Sequence, residues 1–157
     1  MAKEIERKFL VDGDEWKDEA ERGVRFTQAY LFGGPARSAR VRILNDRSAR
    51  LTMKFGAGLS RDEYEYDIPV EDARELVGHA EGVVIDKTRY RVPHRGFVYE
   101  VDVFHGAHAG LILAEVELPD EHAEPSLPAW LGREVTGDRR YINQSLAETG
   151  GLPEETR

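Results

Sequence analysis

No cysteine occurs among the 157 residues. Disulfides, thiolate metal sites and a cysteine nucleophile are therefore excluded. No apolar run is long enough to span a membrane, and the N-terminus lacks the apolar stretch of a signal peptide. A soluble, cytoplasmic protein is the expectation. There is no GxxxxGK string followed by Ser or Thr, so the glycine-rich turns are not phosphate loops of that kind. No GxSxG nucleophile elbow occurs either. A basic excess is also missing. The 22 Lys and Arg are outnumbered by 30 Asp and Glu, giving a net charge of -8 and a pI near 5.2. That balance argues against nucleic acid as a partner, because trackers of a phosphate backbone carry the opposite excess. Charge segregated inside the fold could still meet a small polyanion.

What is present is alternation. Hydrophobic residues make up 40% and charged residues 33%, enough for one core and rich in charge. Period-two patterns predict eight strands: Lys3–Val11, Arg25–Phe32, Ser38–Leu44, Arg50–Phe55, Asp62–Ile68, Val83–Val92, Phe97–Phe104 and Leu111–Leu118. Turn signals separate them, among them Gly33–Pro35, Asn45–Ser48, Gly56–Gly58 and His94–Gly96. Short connections between so many strands predict an antiparallel sheet closing on itself. Helices are expected at Asp14–Arg22, Val70–Val77 and Asp138–Glu148, the last capped by Asp138. Glu124–Gly132 reads as a proline-rich connector. One domain over 1–150 is expected, with a polar tail over 151–157 that frays. His105 and His108 fall in a glycine-rich turn and read as solvated, and Trp16 and Trp130 as packing anchors.

The charges are sorted by strand and parity. Glu4, Glu6 and Lys8 share one row of the first strand. Arg40 and Arg42 share another, Lys54 faces with Thr52, and Lys87 stands with Arg89. Carboxylates pair as Glu63 with Glu65, Glu100 with Asp102, and Glu115 with Glu117. Any one such strand is an ordinary sheet with a wet face. Together they leave two options for a closed barrel: an apolar interior with charge outside, or the reverse. A charged interior is costly unless ions and ligand balance it. Its carboxylates would call for a hard divalent cation. Its Arg and Lys would call for an anion with several oxygens, such as a chain of phosphates.

The string EIERK at Glu4–Lys8 resembles the N-terminal ExExK signature of the CYTH superfamily, the triphosphate tunnel metalloenzymes. The likeness continues in order through ARVRIL, LTMKFGAGLSRDEYEYDI, DKTRYRV, YEVDVF, LAEVEL and EVTGDRRYINQSLA. It covers nearly the whole chain. The resemblance implies an eight-stranded antiparallel β-barrel forming a charged tunnel with helices outside, a mainly β (α+β) fold. It implies enzymes that cleave or rearrange triphosphates with Mg2+ or Mn2+.

Carried over by position, the resemblance makes Lys8, Arg40, Arg42, Lys54, Lys87, Arg89 and Arg140 substrate-binding. Asp102, Glu115 and Glu117 become ligands of the main metal, and Glu4 and Glu6 handle a second metal and the attacking water. Lys87 neutralises charge near the bond that breaks, and Glu63, Glu65 and Glu100 support the cations. Arg139 stands where relatives often have Lys or Pro, which leaves its role open. The compact chain leaves little sequence for a base-recognition pocket, so hydrolysis of inorganic triphosphate is the first expectation. The alternatives are a class IV adenylate cyclase, a thiamine triphosphatase and a non-catalytic polyphosphate- or nucleotide-binding module. The cyclases often carry a His-Phe pair before ExExK, where this chain has only MAK. Carboxylates in the groove argue against a pure anion binder. Gln28, Tyr30 and Phe32 form one row expected to line or plug a tunnel end. Apolar residues outside a barrel could support a homodimer.

Overall fold

A computed structural model describes residues 2–57 and 60–154. The turn expected at Gly56–Gly58 and the tail expected at 151–157 therefore lie partly outside the described residues. Nine strands form one antiparallel sheet. They are β1 (Ala2–Val11), β2 (Val24–Gly34), β3 (Arg37–Leu44), β4 (Ser48–Phe55), β5 (Ser60–Ile68), β6 (Ile85–His94), β7 (Phe97–Phe104), β8 (Ile112–Glu117) and β9 (Leu131–Glu134). The order is β5-β4-β3-β2-β6-β7-β8-β1-β9, and β5 also pairs with β1. Eight strands therefore close into a barrel.

Strand β1 makes the closure. Ala2–Ile5 pair with β5, and Glu6–Leu10 pair with β8. Beyond Ile5 the partner changes, and Phe9 and Val11 pair with β9. Strand β9 lay hidden in the sequence because it is four residues long and follows prolines. It is tied down by Arg7, whose guanidinium donates to both Glu134 oxygens at 2.9 and 2.7 Å.

The charged parity is inside. Glu4, Lys8, Arg40, Arg42, Lys87, Asp102 and Glu115 are all buried. The apolar parity faces outward under cover. Phe9, Val92, Tyr99, Val101, Ala114 and Val116 pack with Trp16 and Trp130, the expected anchors. Val41, Ile43 and Ala49 pack beneath the helix α1 (Val70–Val77). One end of the barrel is apolar inside as well. Ile85, Phe104 and Leu113 continue the inward rows of β6, β7 and β8, and Tyr141, Leu146 and Ala147 cover them. The last two belong to the helix α2 (Asn143–Thr149).

Several expected elements are altered. Asp14–Arg22 is only a 3-10 turn at Glu15–Asp18, since that segment buries just Trp16 and cannot repay helix nucleation. The helix expected over Asp138–Glu148 is split by an extended Ile142 (φ -77°, ψ 143°). A 3-10 turn at Arg139–Tyr141 precedes the break, and Asp138 does cap it, accepting from the Arg140 N–H. The break lets Tyr141 and Leu146 both reach the apolar floor. His108 is not solvated but fully buried, 2.6 Å from the Leu146 carbonyl, and His105 pairs with Thr88 at 2.8 Å. Of the row Gln28, Tyr30 and Phe32, the first two are buried inside. Phe32 is 63% exposed, because the register with β3 shifts between Tyr30 and Phe32. Phe55, also exposed, shares a shallow hollow with it. Leu152 packs on the apolar floor and Pro153 is buried, so the start of the tail does not fray.

Gly82 marks a close approach. Its φ is +76°, and an added Cβ would stand 2.4 Å from the carbonyl oxygen of Ala147, which accepts from Val83 N–H. Gly82→Ala is expected to cost about 2 kcal/mol or more through strain and clash. Thermal melting checks this, with a drop of about 4–8 °C expected for a chain of this size.

Candidate active site

The inward rows converge on a cavity of roughly 270 Å³. Lys8 from β1, Arg40 and Arg42 from β3, Lys54 from β4 and Arg89 from β6 line it. Glu4 and Glu6 from β1, Glu63 and Glu65 from β5, Glu100 from β7 and Glu115 and Glu117 from β8 line it too. Alternation brings them together: each strand turns every second side chain inward, and closure aims all the inward rows at one axis. A second hollow shares Glu6, Lys8, Lys54 and Arg61 with the first and opens between the β2–β3 turn and the segment after β9. It forms where β1 leaves β5 for β9.

Two of the expected residues lie one layer deeper. Lys87 and Asp102 are 0% and 1% exposed and sit behind the cavity wall. The Lys87 ammonium donates to Asp102 at 2.6 Å, and Arg89 donates to both Asp102 oxygens at 2.7 and 2.9 Å. Burial pulls Lys87 down to about 7 against the opposing charge of Asp102. Burial would raise Asp102, but Arg89 and Lys87 outweigh it and hold the carboxyl below its usual range. Arg140 lines neither hollow. It pairs with Asp138 at 2.5 Å and lies over the Tyr141 ring, while Arg139 lines the second hollow.

The carboxylates divide into two groups. Glu4 is clasped by Lys54 at 2.9 Å and Arg61 at 2.8 Å. Burial pushes it up, but Lys54, a hydrogen bond from Glu63 and Arg61 bring it to about 2. Glu6 accepts from Arg61 at 3.1 Å, and Glu115 faces Lys8 at 3.7 Å and Arg89 at 4.0 Å, looser contacts than those on Glu4. Glu6 and Glu117 are direct partners across β1 and β8, and Lys8 stands opposite Glu115. Burial first, then the charge of Glu115, a hydrogen bond to it and the charge of Glu4 raise Glu6 to about 8. Glu117 is raised by burial and by Glu4, Glu100 and Glu115. Glu115 would be raised by burial, but Lys8, Arg89 and the hydrogen bond from Glu6 hold it well down. Repulsion outweighs the nearby cations at Glu6 and Glu117, though not at Glu115.

Among the described residues, no three His, Asp or Glu side chains are already drawn into a metal cluster. Carboxylates that repel one another have no reason to close up without a cation. Their mutual repulsion and all-oxygen chemistry fit a hard divalent ion.

The cations are poised for an anion. Burial, then Arg40 and Arg89, lowers Arg42 to about 9. The Arg40 Nε is buried with no hydrogen-bond partner, an orphaned donor in a wall that faces the cavity. Arg61 and Asn143 also belong to the wall. Arg61 shares the inward parity of Glu63 and Glu65, one step before the expected strand start. Asn143 adds a neutral group, and Gln28 and Thr52 are buried just behind the lining. Gln28 accepts from Arg42 at 2.9 Å, Thr52 donates to Glu65 at 3.0 Å, and Asn143 accepts from Lys87 at 3.2 Å. Parity marks Gln28 and Thr52, but no sequence signal marks Asn143, whose placement depends on the break at Ile142.

The Glu6 carboxyl carries a stability prediction. Its folded value near 8 lies above the unfolded 4.5. The folded state then binds the extra proton, so this contribution is present below about 4.5 and is lost as pH rises through 8. In chelator, Glu6→Gln is expected to melt at the same temperature as the wild type at pH 4 and roughly 10 °C or more higher at pH 9. Parallel pH profiles for the two proteins would contradict it.

The family model described as CYTH domain matches residues 2–148. An inorganic triphosphatase of Acetivibrio thermocellus is 48% identical over 149 residues, covering 94% of this chain and 95% of that one. An inorganic triphosphatase of Nitrosomonas europaea is 40% identical over 149 residues, covering 92% and 96%. A crystal structure of an inorganic triphosphatase superposes with a TM-score of 0.68 at 36% identity, covering 94% of this chain and 96% of that one. No helix among the described residues is long and apolar enough to cross a membrane.

Proposed function

Since this chain belongs to the CYTH domain family, we propose that it hydrolyses inorganic triphosphate (tripolyphosphate) with a divalent metal, Mg2+ or Mn2+, inside its barrel. The observation that carries this is a cavity wall that brings together Lys8, Arg40, Arg42, Lys54 and Arg89. Cations gathered around one cavity repel one another, and a chain of phosphates offers oxygens to all of them. The cavity is lined almost wholly by charged and polar side chains, with little apolar or aromatic platform for a base. It suits a short chain of phosphates better than a nucleoside with its base. The relatives' activity points the same way.

Phosphoryl transfer asks the protein mainly for positioning and charge neutralisation. Arg40, Arg42 and Arg89 grip successive phosphoryl oxygens, and Lys8 and Lys54 neutralise the end nearer the second hollow. Lys87 does not touch the substrate in this reading. It fixes Asp102 and adds positive potential behind Arg42 and Arg89. Glu115 and Glu117 would hold the divalent ion, which supplies a counter-charge for the phosphates and activates water. Asp102 takes no part in this, since Arg89 and Lys87 hold it. Glu4, at about 2, is a poor proton acceptor and instead fixes Lys54 and Arg61. Glu6 lines both hollows, where water enters. With Glu115 and Glu117 neutralised it is relieved of repulsion and falls from about 8 toward neutrality, the useful range for a base. It takes the proton of the water that attacks the terminal phosphorus. The bond to the bridging oxygen breaks, and pyrophosphate leaves.

Phosphate release from tripolyphosphate and from ATP, with cyclic AMP measured in parallel, tests the reading. Tripolyphosphate is expected to be cleaved faster, with no cyclic AMP. Preferred ATP turnover or cyclic AMP formation would replace it with a nucleotide reading, and binding without turnover would make the protein a polyphosphate-binding module.

A further inference from the structure

Asn143 opens α2 just after the chain breaks at the extended Ile142. It is 8% exposed and lines the charged cavity. Its carbonyl Oδ1 accepts from the Lys87 ammonium at 3.2 Å and from Gln28 Nε2 at 3.3 Å. Gln28, 0% exposed, accepts in turn from Arg42 Nε at 2.9 Å.

The direction of this chain is settled by chemistry. Arg42 can only donate, so Gln28 must turn its oxygen to it and its NH2 to Asn143. An ammonium can only donate as well, so Asn143 must turn its oxygen to Lys87. Both constraints agree. What remains of the Asn143 side chain is the Nδ2 amide, a neutral donor at the wall of an anion-sized cavity.

We propose that Asn143 is a substrate-binding residue, whose Nδ2 donates to a phosphoryl oxygen while its Oδ1 anchors Lys87 and, through Gln28, the Arg42 guanidinium. The proposal rests on the triphosphate reading of the cavity. A neutral donor suits this place. Arg42 and Arg89 already repel each other, and Lys87 stands behind them. A further cation would add to that repulsion, whereas an amide adds a hydrogen bond without charge. The arrangement also links the closing helix to the substrate grip, because the residue that touches the anion is the first of α2.

Steady-state kinetics on tripolyphosphate with Asn143→Asp test it. Aspartate keeps the oxygen that holds Lys87 but presents a second, anionic oxygen to the substrate. KM is expected to rise roughly tenfold or more, with the melting temperature unchanged within about 2 °C. A purely structural Asn143 would move the melting temperature and leave KM alone, and that result overturns the proposal. A second measurement needs no variant. In the wild-type protein with chelator present, the assigned Asn143 side-chain NH2 resonances are expected to shift downfield as tripolyphosphate is added. Resonances that stay in place while backbone amides around Arg40 move would overturn the proposal and leave the triphosphate reading standing. A wild-type protein that neither binds nor cleaves tripolyphosphate would remove both.

Discussion

Glu117→Ala is expected to lower tripolyphosphate turnover by roughly a thousandfold while leaving the fold intact. Glu117 is exposed at the rim of the cavity, at the end of β8, so its removal opens no void in packed structure. Lys54, the cation that attracts it, is already paired with Glu4 and Glu63. Glu4, Glu100 and Glu115 all raise its proton affinity. Alanine therefore relieves repulsion in the free protein and should not lower its melting temperature. In the working enzyme it removes one of two oxygen donors proposed for the divalent ion. Losing one preorganised electrostatic partner of a transition state costs ~10²–10³ in rate, and loss of a metal ligand lies at the upper end. Added Mn2+ should restore activity only poorly, since Glu115 alone makes a weak site. Wild-type turnover in the variant would remove the metal assignment.

Arg40→Lys is expected to lower kcat/KM by about a hundredfold, although charge is conserved. Arg40 is 7% exposed and lines the cavity. A fork of donors can hold two phosphoryl oxygens at once, and an ammonium cannot reproduce it. The shorter reach of lysine also leaves the wall opposite Thr52, its cross-strand partner, incompletely filled. The loss should fall mainly in KM if Arg40 grips the substrate throughout. It should fall equally in kcat if the grip tightens only in the transition state. Steady-state kinetics separate the two, and unchanged kcat/KM would show that Arg40 does not touch substrate. Arg42→Lys is expected to be milder, because its Nε is already committed to Gln28.

The alternation legible in the sequence gave the strands and their charged rows, because a strand turns successive side chains to opposite faces whatever the fold. It did not say which face is inside. In β1, Ile5 and Phe9 are as good a core row as Glu4, Glu6 and Lys8 are a wet one. Only closure of the barrel and the outer cover of Trp16, Trp130 and α1 put the charges inside, and the family resemblance anticipated that. What stayed hidden depends on long-range contacts. Strand β9 exists because β1 parts from β5 after Ile5 and leaves an edge to fill. Lys87 and Asp102 look like wall residues by parity, yet they are fully buried and covered by Arg89, which pairs with Asp102. Arg61 was missed by placing the start of β5 two residues late. Asn143 enters the cavity because the helix expected there is interrupted by Ile142, a break that no glycine or proline announces.

The central claim is that one cavity holds a divalent ion on its acidic side and a triphosphate on its basic side. Anomalous diffraction from crystals soaked with Mn2+ and tripolyphosphate tests it most directly. The account predicts a manganese peak bound by Glu115 and Glu117, and phosphates in contact with Arg40, Arg42 and Arg89. A manganese peak held by other residues, or phosphates seated outside the barrel, would contradict it.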